Sequence, residues 1–354
     1  MIILKKALSL SMITIIVFAL ALNSTKNNIY SYAQVLPQNQ VNVAVILFTF
    51  DDPYISLVRK SLEEIQNRNG SNVKYTFYDG KRNQSIQNEE IASALNNNYD
   101  LLLVNLVDLS ENTVTSVIDE VKSKNIPIIL FNTIPFNVEP IKTYSKALVI
   151  STNADQSGIL QGNLVVNAWN SNKGTIDKDG DNVLQYIMLK GPANNTAVAA
   201  RTFYSISTVN DAGIKTEELA SINCNWDQEL AKNAVEPLFL KYNNKIEAII
   251  ANNDAMAIGA IEALQKYGYN TGDKTKYVPV FGIDGIQEAK DLIDKGIMAG
   301  TVIQDPNETT EALYTVGMNL VYNRNPLENT NYKFDNTGVT IEIPYHEYIP
   351  KSSS

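Results

Sequence analysis

The sequence predicts an α/β protein made of two doubly wound parallel-sheet domains. Three observations carry that reading. Short, almost continuously apolar runs recur along the chain, and most are followed by a stretch of helical periodicity, the pattern of strands covered on both faces by crossover helices. The runs are too many for one comfortable sheet. A chain of 354 residues with 44% apolar content is also long enough for two cores.

The elements follow in order. Lys5 and Lys6 precede the apolar run 7–22, which is the basic-then-apolar order of a secretory signal. A candidate cleavage point, "SYA" ending at Ala33, lies well downstream. The run falls short of the ~20 residues of a comfortable membrane span. Residues 1–33 therefore read as a cleaved signal peptide or, alternatively, as an uncleaved anchor, and either exports the remainder. The single cysteine, Cys224, is too far along the chain for lipid attachment behind the run, and alone it excludes an internal disulfide. A net charge of −9 argues against nucleic acid or an anionic membrane surface as partner.

After a polar stretch, 23–39, "VNVAVILFTF" from Val41 reads as a buried strand. "PYISLVRKSLEEIQNR" puts Ile55, Val58, Leu62 and Ile65 on one helical stripe, with Pro53 in the first turn. "DLLLVNLV" precedes a helix from about Ser110, then come "IPIILF", ending before Asn132, and "ALVIST", leading into a helix near Gly158. "VLQYIML", "EAIIA", "VPVFGI" and "GTVI" complete the series, and the passage between domains falls near Thr152.

Open α/β sheets bind ligands outside the carboxyl ends of their strands. The residues at those ends share one chemistry: Asp51 and Asp52, Asn132, Asn253 and Asp254, Asp284, and Gln304. Planar carboxylates and amides can each bridge neighbouring hydroxyls, as recognition of an uncharged polyol requires. Helix capping is the competing explanation at each position, and it is the role assigned to Asp254. Tyr54 and Trp226 also follow strand ends and offer aromatic faces suited to the C–H face of a sugar ring. Arg201, in "AVAARTFY", is a donor for a ring oxygen or a partner for an internal carboxylate.

A second motif is "DKDGDNVLQ". Asp177, Asp179, Asp181 and Gln185 occupy the first, third, fifth and ninth positions of a calcium loop, but Asn182 and Met188 stand where an EF-hand has its glycine and its bidentate glutamate. "YIMLKG" reads as a strand, so the chain leaves the loop extended. The motif is either a charged turn or a metal site closed by a carboxylate from another segment.

"FTFDDPYISLVRK", "IANNDAMAIGAIEAL", "VPVFGIDGIQEA" and the aspartate loop with "LQYIMLKG" together resemble the bacterial periplasmic galactose/glucose-binding proteins, over about 41–350. The resemblance implies a type I periplasmic-binding-protein fold with three hinge crossings that closes over one monosaccharide. It implies domains at 40–152 plus 306–339 and at 153–305 plus 340–354. The sugar ligands it implies are Asp52, Asn132, Arg201, Asn253 and Asp284, with Tyr54 and Trp226 as the stacking pair.

Three positions depart from the family pattern: Asn195 replaces a histidine, Gln304 an asparagine, and Ala197 an aspartate. Loss of that last carboxylate removes a bond worth about 1.5–3 kcal/mol. For the loop, the resemblance names Glu247 as the closing carboxylate. With Asp177, Asp179, Asp181, Gln185 and the Val183 carbonyl it would complete six or seven oxygens around a structural Ca²⁺.

A glycosidase would need a carboxylate pair, and Asp52 with Asp284 is the available one, but nothing marks either for catalysis. The sole histidine, His346, rules out a histidine triad. The expected function is therefore binding, not catalysis: a monomeric receptor that hands a sugar to ABC permease subunits, with chemotaxis as a further role. The alternative is a membrane-tethered sensor that signals to a histidine kinase or chemoreceptor.

Overall fold

A computed structural model describes residues 40–348. The expected signal or anchor at 1–33 lies outside the described residues, and none of the described helices is long and apolar enough to cross a membrane.

The first lobe alternates strand and helix: β1 (Val41–Leu47), α1 (Pro53–Arg68), β2 (Val73–Asp79), α2 (Gln84–Asn96), β3 (Leu101–Val104), α3 (Glu111–Ser123), β4 (Ile128–Asn132), α4 (Glu139–Lys142) and β5 (Ala147–Thr152). The second lobe repeats the cycle with α5 (Ala154–Ile176), β6 (Val183–Lys190), α6 (Thr196–Asp211), β7 (Lys215–Asn223), α7 (Gln228–Tyr242), β8 (Ala248–Ala251), α8 (Asp254–Gln265), β9 (Val280–Asp284), α9 (Gln287–Asp294) and β10 (Gly300–Ile303). The chain then returns through α10 (Pro306–Val321) and β11 (Thr340–Ile343) to the first lobe and ends its described course in β12 (His346–Glu347).

The first sheet has the order β11-β5-β4-β3-β1-β2 and the second β12-β10-β9-β8-β6-β7. Every pairing is parallel except that of β12 with β10. The two sheets thus share one doubly wound order, with a switch point between β1 and β3 in one lobe and between β6 and β8 in the other.

Strand alternation feeds a core on each face. In β1, Val43, Val45 and Leu47 pack under α1 and α10, while Ala44 and Ile46 point to the opposite core with α2 and α3. The predicted stripe of α1, Ile55, Val58, Leu62 and Ile65, is wholly buried. In the second lobe α7, α8 and α9 cover one face, and α5 and α6 the other.

The chain passes between lobes after Thr152, after Ile303, and at Pro344. The last passage corrects the boundary expected at 340. Residues Thr340–Ile343 pair in register with Val149–Thr152 of β5, so they belong to the first lobe, and only the residues beyond Pro344 join the second sheet. The sequence pattern misplaces them because this short terminal strand carries Glu342 and lacks a long apolar run.

Candidate functional site

The carboxyl ends of both sheets face one cleft, whose empty space is about 660 Å³ when its open mouth is counted. From the first lobe Asp52, Tyr54, Asn105 and Asn132 line it, and from the second Asn195, Ala197, Arg201, Trp226, Asn253, Asp284 and Gln304. All nine sugar-binding residues expected from the sequence and the resemblance thus converge. Asp51, adjacent to them in sequence, is exposed and lies outside the lining.

Several of these side chains serve the fold and the cleft together. Asp52 caps α1, its Oδ1 accepting from the Ile55 amide at 3.0 Å. Asn195 caps α6 by accepting from the Ala197 and Val198 amides at 2.9 and 3.2 Å. Asn253 caps α8 by accepting from Met256 at 3.0 Å. Each cap uses one oxygen; Asn253 Nδ2 also donates to the Trp226 carbonyl at 3.4 Å, which leaves one of its two hydrogens for the cleft.

Asp254 is not the cap expected of it, because Asn253 performs that role. Its buried carboxylate accepts from the Ile286 amide at 2.9 Å and the Thr301 hydroxyl at 2.6 Å, tying α8 to the loop after β9 and to β10. Burial raises its pKa to about 6 against those bonds.

Arg201 is the centre of the cleft's polar network. Its Nη1 donates to the Asn252 carbonyl at 2.6 Å and lies 3.7 Å from Asp284 Oδ1. Its Nη2 donates to Gln304 Oε1 at 3.1 Å and to the Tyr345 hydroxyl at 2.7 Å. Its Nε is buried and has no hydrogen-bond partner among the described residues. A buried, unpartnered donor of this kind is costly unless a ligand satisfies it. Gln304 also spans the lobes, its Nε2 donating to Asn132 Oδ1 at 3.0 Å.

Burial is also the largest influence on the two cleft carboxyls, and it raises both. For Asp52 the Ile55 amide and Arg82 oppose it, and for Asp284 it is Arg201 that does so.

Trp226 presents its indole because Gly191 lacks a side chain: a Cβ there would sit 2.4 Å from the ring. The backbone is strained nearby, with positive φ at Asn132 (78°), Asn225 (53°), Trp226 (66°) and Asp284 (128°). Asparagine tolerates this region, but for Trp226 and Asp284 it costs of order 1–3 kcal/mol each. Such outliers cluster at ligand sites. The lobes meet across the cleft, with Arg82 Nη1 donating to the Asn225 carbonyl at 3.0 Å and Thr196 Oγ1 to the Ile134 carbonyl at 2.6 Å.

Two residues escaped the sequence reading. Asn105, directly after β3, is buried and bonds the Phe48 amide and the Phe131 carbonyl; the strand-end rule applied to "LLLVN" would have found it. Tyr345 touches Arg201 from the third crossing, and no strand-end signal marks it.

The aspartate loop lies away from the cleft, between α5 and β6. Carboxylate oxygens of Asp177, Asp179 and Glu247 fall within 4.8 Å of one another. Glu247 accepts from the Lys178 amide at 2.6 Å and the Gln185 amide at 3.1 Å. Asp181 accepts from the Val183 amide at 2.7 Å and from Gln185 Nε2 at 2.9 Å. Asp177 Oδ1 and Gln185 Oε1 are buried acceptors without a donor among the described residues. Three clustered carboxylates, one of them with an orphaned oxygen, and the orphaned Gln185 Oε1 are a donor set that fits a hard divalent cation.

Comparison with known proteins agrees with the fold. Residues 43–325 match the model of the periplasmic binding protein domain. The D-galactose/methyl-galactoside binding periplasmic protein of Haemophilus influenzae is 32% identical over 336 residues, covering 95% of each chain. Among solved structures, an ABC transporter solute binding protein from Bacillus halodurans with bound myo-inositol superposes with a TM-score of 0.70 at 22% identity, covering 89% of this chain and 96% of that one. One from Actinobacillus succinogenes with bound D-allose gives 0.72 at 17% identity, covering 87% and 97%.

Proposed function

Because the chain belongs to the periplasmic binding protein family, we propose that it is an exported receptor that closes over one monosaccharide of the galactose or glucose type and delivers it to the permease of an ABC importer. The observation that carries this reading is the cleft itself. Amides, carboxylates and a guanidinium from two lobes converge beside an indole face, and the buried Arg201 Nε lacks a partner among the described residues. A pyranose would satisfy that donor with a ring or hydroxyl oxygen, stack on Trp226 and divide its hydroxyls among Asp52, Asn132, Asn253 and Asp284. The galactoside-binding relative supports the sugar class. Ala197 leaves the second lobe without a carboxylate at that point, which is compatible with weaker glucose binding, with another pentose or hexose, or with a sugar bearing a group at the anomeric carbon.

Titration with D-galactose, D-glucose, D-xylose and L-arabinose, followed by tryptophan emission, tests the proposal. At least one sugar should give a saturable change that is lost in Trp226→Phe, since the other tryptophan, Trp169, is buried in the second lobe's core. Silence for all four would overturn it.

The same reading gives the aspartate loop a structural Ca²⁺ held by Asp177, Asp179, Asp181, Gln185, the Val183 carbonyl and Glu247. The ion would neutralise the carboxylates and fix the loop against β8, with no part in contacting sugar. Calcium should raise the melting temperature of the native chain and not that of Glu247→Ala, whose sugar affinity should be retained. An equal rise in both would refute the assignment.

A further inference from the structure

The three passages between lobes meet at one atom. Thr152 ends β5 at the first passage, Gln304 follows β10 at the second, and Tyr345 lies within the third. The Tyr345 hydroxyl lies 2.8 Å from Thr152 Oγ1, donates to Gln304 Oε1 at 3.1 Å, and accepts from Arg201 Nη2 at 2.7 Å. A phenol offers one donor and two acceptor positions, so with Thr152 as donor this one is saturated by protein. Its side chain is 3% exposed, and its ring centroid lies 5.7 Å from the Arg201 guanidinium carbon. Its amide donates to Gln156 Oε1 at 2.9 Å, just beyond the first passage.

We propose that Tyr345 is a positioning residue that fixes Arg201 for the ligand and couples that contact to the angle between the lobes. The inference rests on the receptor reading for its ligand, but the convergence of the three passages stands apart from it. Arg201 can present its free Nε to the cleft only while Nη1 and Nη2 are held. Nη1 is held by the second lobe's own backbone at Asn252, whereas Nη2 is held by the hinge, at Gln304 and Tyr345. A change in hinge angle that moves Thr152 relative to Gln304 must disturb the hydroxyl they share, and with it the guanidinium. Ligand contact at Nε would in turn favour the one angle at which all three bonds are made.

Tyr345→Phe keeps the ring and its packing while removing the hydroxyl. Loss of a hydrogen bond to a charged group predicts a fall of roughly tenfold or more in affinity for whichever of the four sugars the native chain binds, carried mostly by faster dissociation. Spin labels at exposed Glu89 and Glu288, one per lobe, should report a broader interlobe distance distribution in the ligand-free variant. A merely structural role would lower the melting temperature and leave that distribution unchanged. Thr152→Val, which touches the hydroxyl but does not line the cleft, should shift both readouts in the same direction and less strongly, and it carries the test if Tyr345→Phe fails to fold. Affinity within twofold of native together with an unaltered distribution would overturn the proposal. If the native chain binds none of the sugars, the receptor reading fails, and the distance distribution alone decides the role of Tyr345.

Discussion

Glu247 illustrates how a single buried side chain can set a pH response. Its carboxylate is 1% exposed, and burial, opposed by the Lys178 and Gln185 amides and reinforced by Asp177 and Asp179, raises its pKa to about 7 from a usual 4.5. The folded chain therefore binds a proton more tightly here than the unfolded chain does. Between the two values the folded state holds more protons, so this group's stability contribution is largest at the acid end and is lost as pH rises to about 7. In EDTA, the melting temperature should decline across that window because of this site, and Glu247→Gln should flatten the decline. The calcium ion proposed for this loop would bind the ionised form, so the stabilisation it gives should grow with pH over the same interval. A calcium effect that is constant from pH 5 to 8 would contradict the site. Asp254 behaves similarly: its carboxylate is wholly buried and its pKa is raised to about 6, with the Thr301 hydroxyl, the Ile286 and Gly285 amides and Arg201 opposing the burial.

At the scale of elements, central strands were legible and edge strands were not. β3, β4, β8 and β9 have helices on both faces and read as apolar runs. β2 and β7 lie at sheet edges, and the exposed lysine and glutamates of "KTEELASIN" hide β7 from any hydrophobic criterion. The terminal strands β11 and β12 were hidden by their length, and the third passage was misplaced with them. The cleft was legible for a related reason. A doubly wound sheet exposes its strand ends at the switch point, and polar residues placed there have few other partners. Reading those residues as caps or as ligands posed a false alternative, since Asp52, Asn195 and Asn253 each cap a helix with one oxygen and line the cleft with the rest. The helix N-terminus fixes the side chain's rotamer, which presents the free atom to the ligand at little further entropic cost. Tyr345 could not be read in this way, because its role depends on where three distant segments cross.

At the scale of the molecule, the two lobes are near repeats of one topology, and each has its own pair of cores, so interlobe geometry is free to respond to a ligand while each lobe stays folded. Polar bonds join the lobes across the cleft, beside an apolar contact of Leu57 in α1 with the second lobe's core. Arg82 is the clearest: its guanidinium lies 5.3 Å from the Phe48 ring centroid in the first lobe and donates to the Asn225 carbonyl, one residue before Trp226, in the second. The bond is solvent-exposed and touches neither core. Arg82→Ala should therefore leave the melting temperature within a degree or two of native. It should weaken sugar binding by roughly 2- to 10-fold, the range expected for one net hydrogen bond of about 0.5–1.5 kcal/mol. The loss should fall on the dissociation rate, because the contact forms only after the lobes meet and cannot slow the first encounter. Stopped-flow tryptophan emission separates the two rates. A slower association with unchanged dissociation would mean that Arg82 steers the sugar into the cleft instead of holding the lobes together over it.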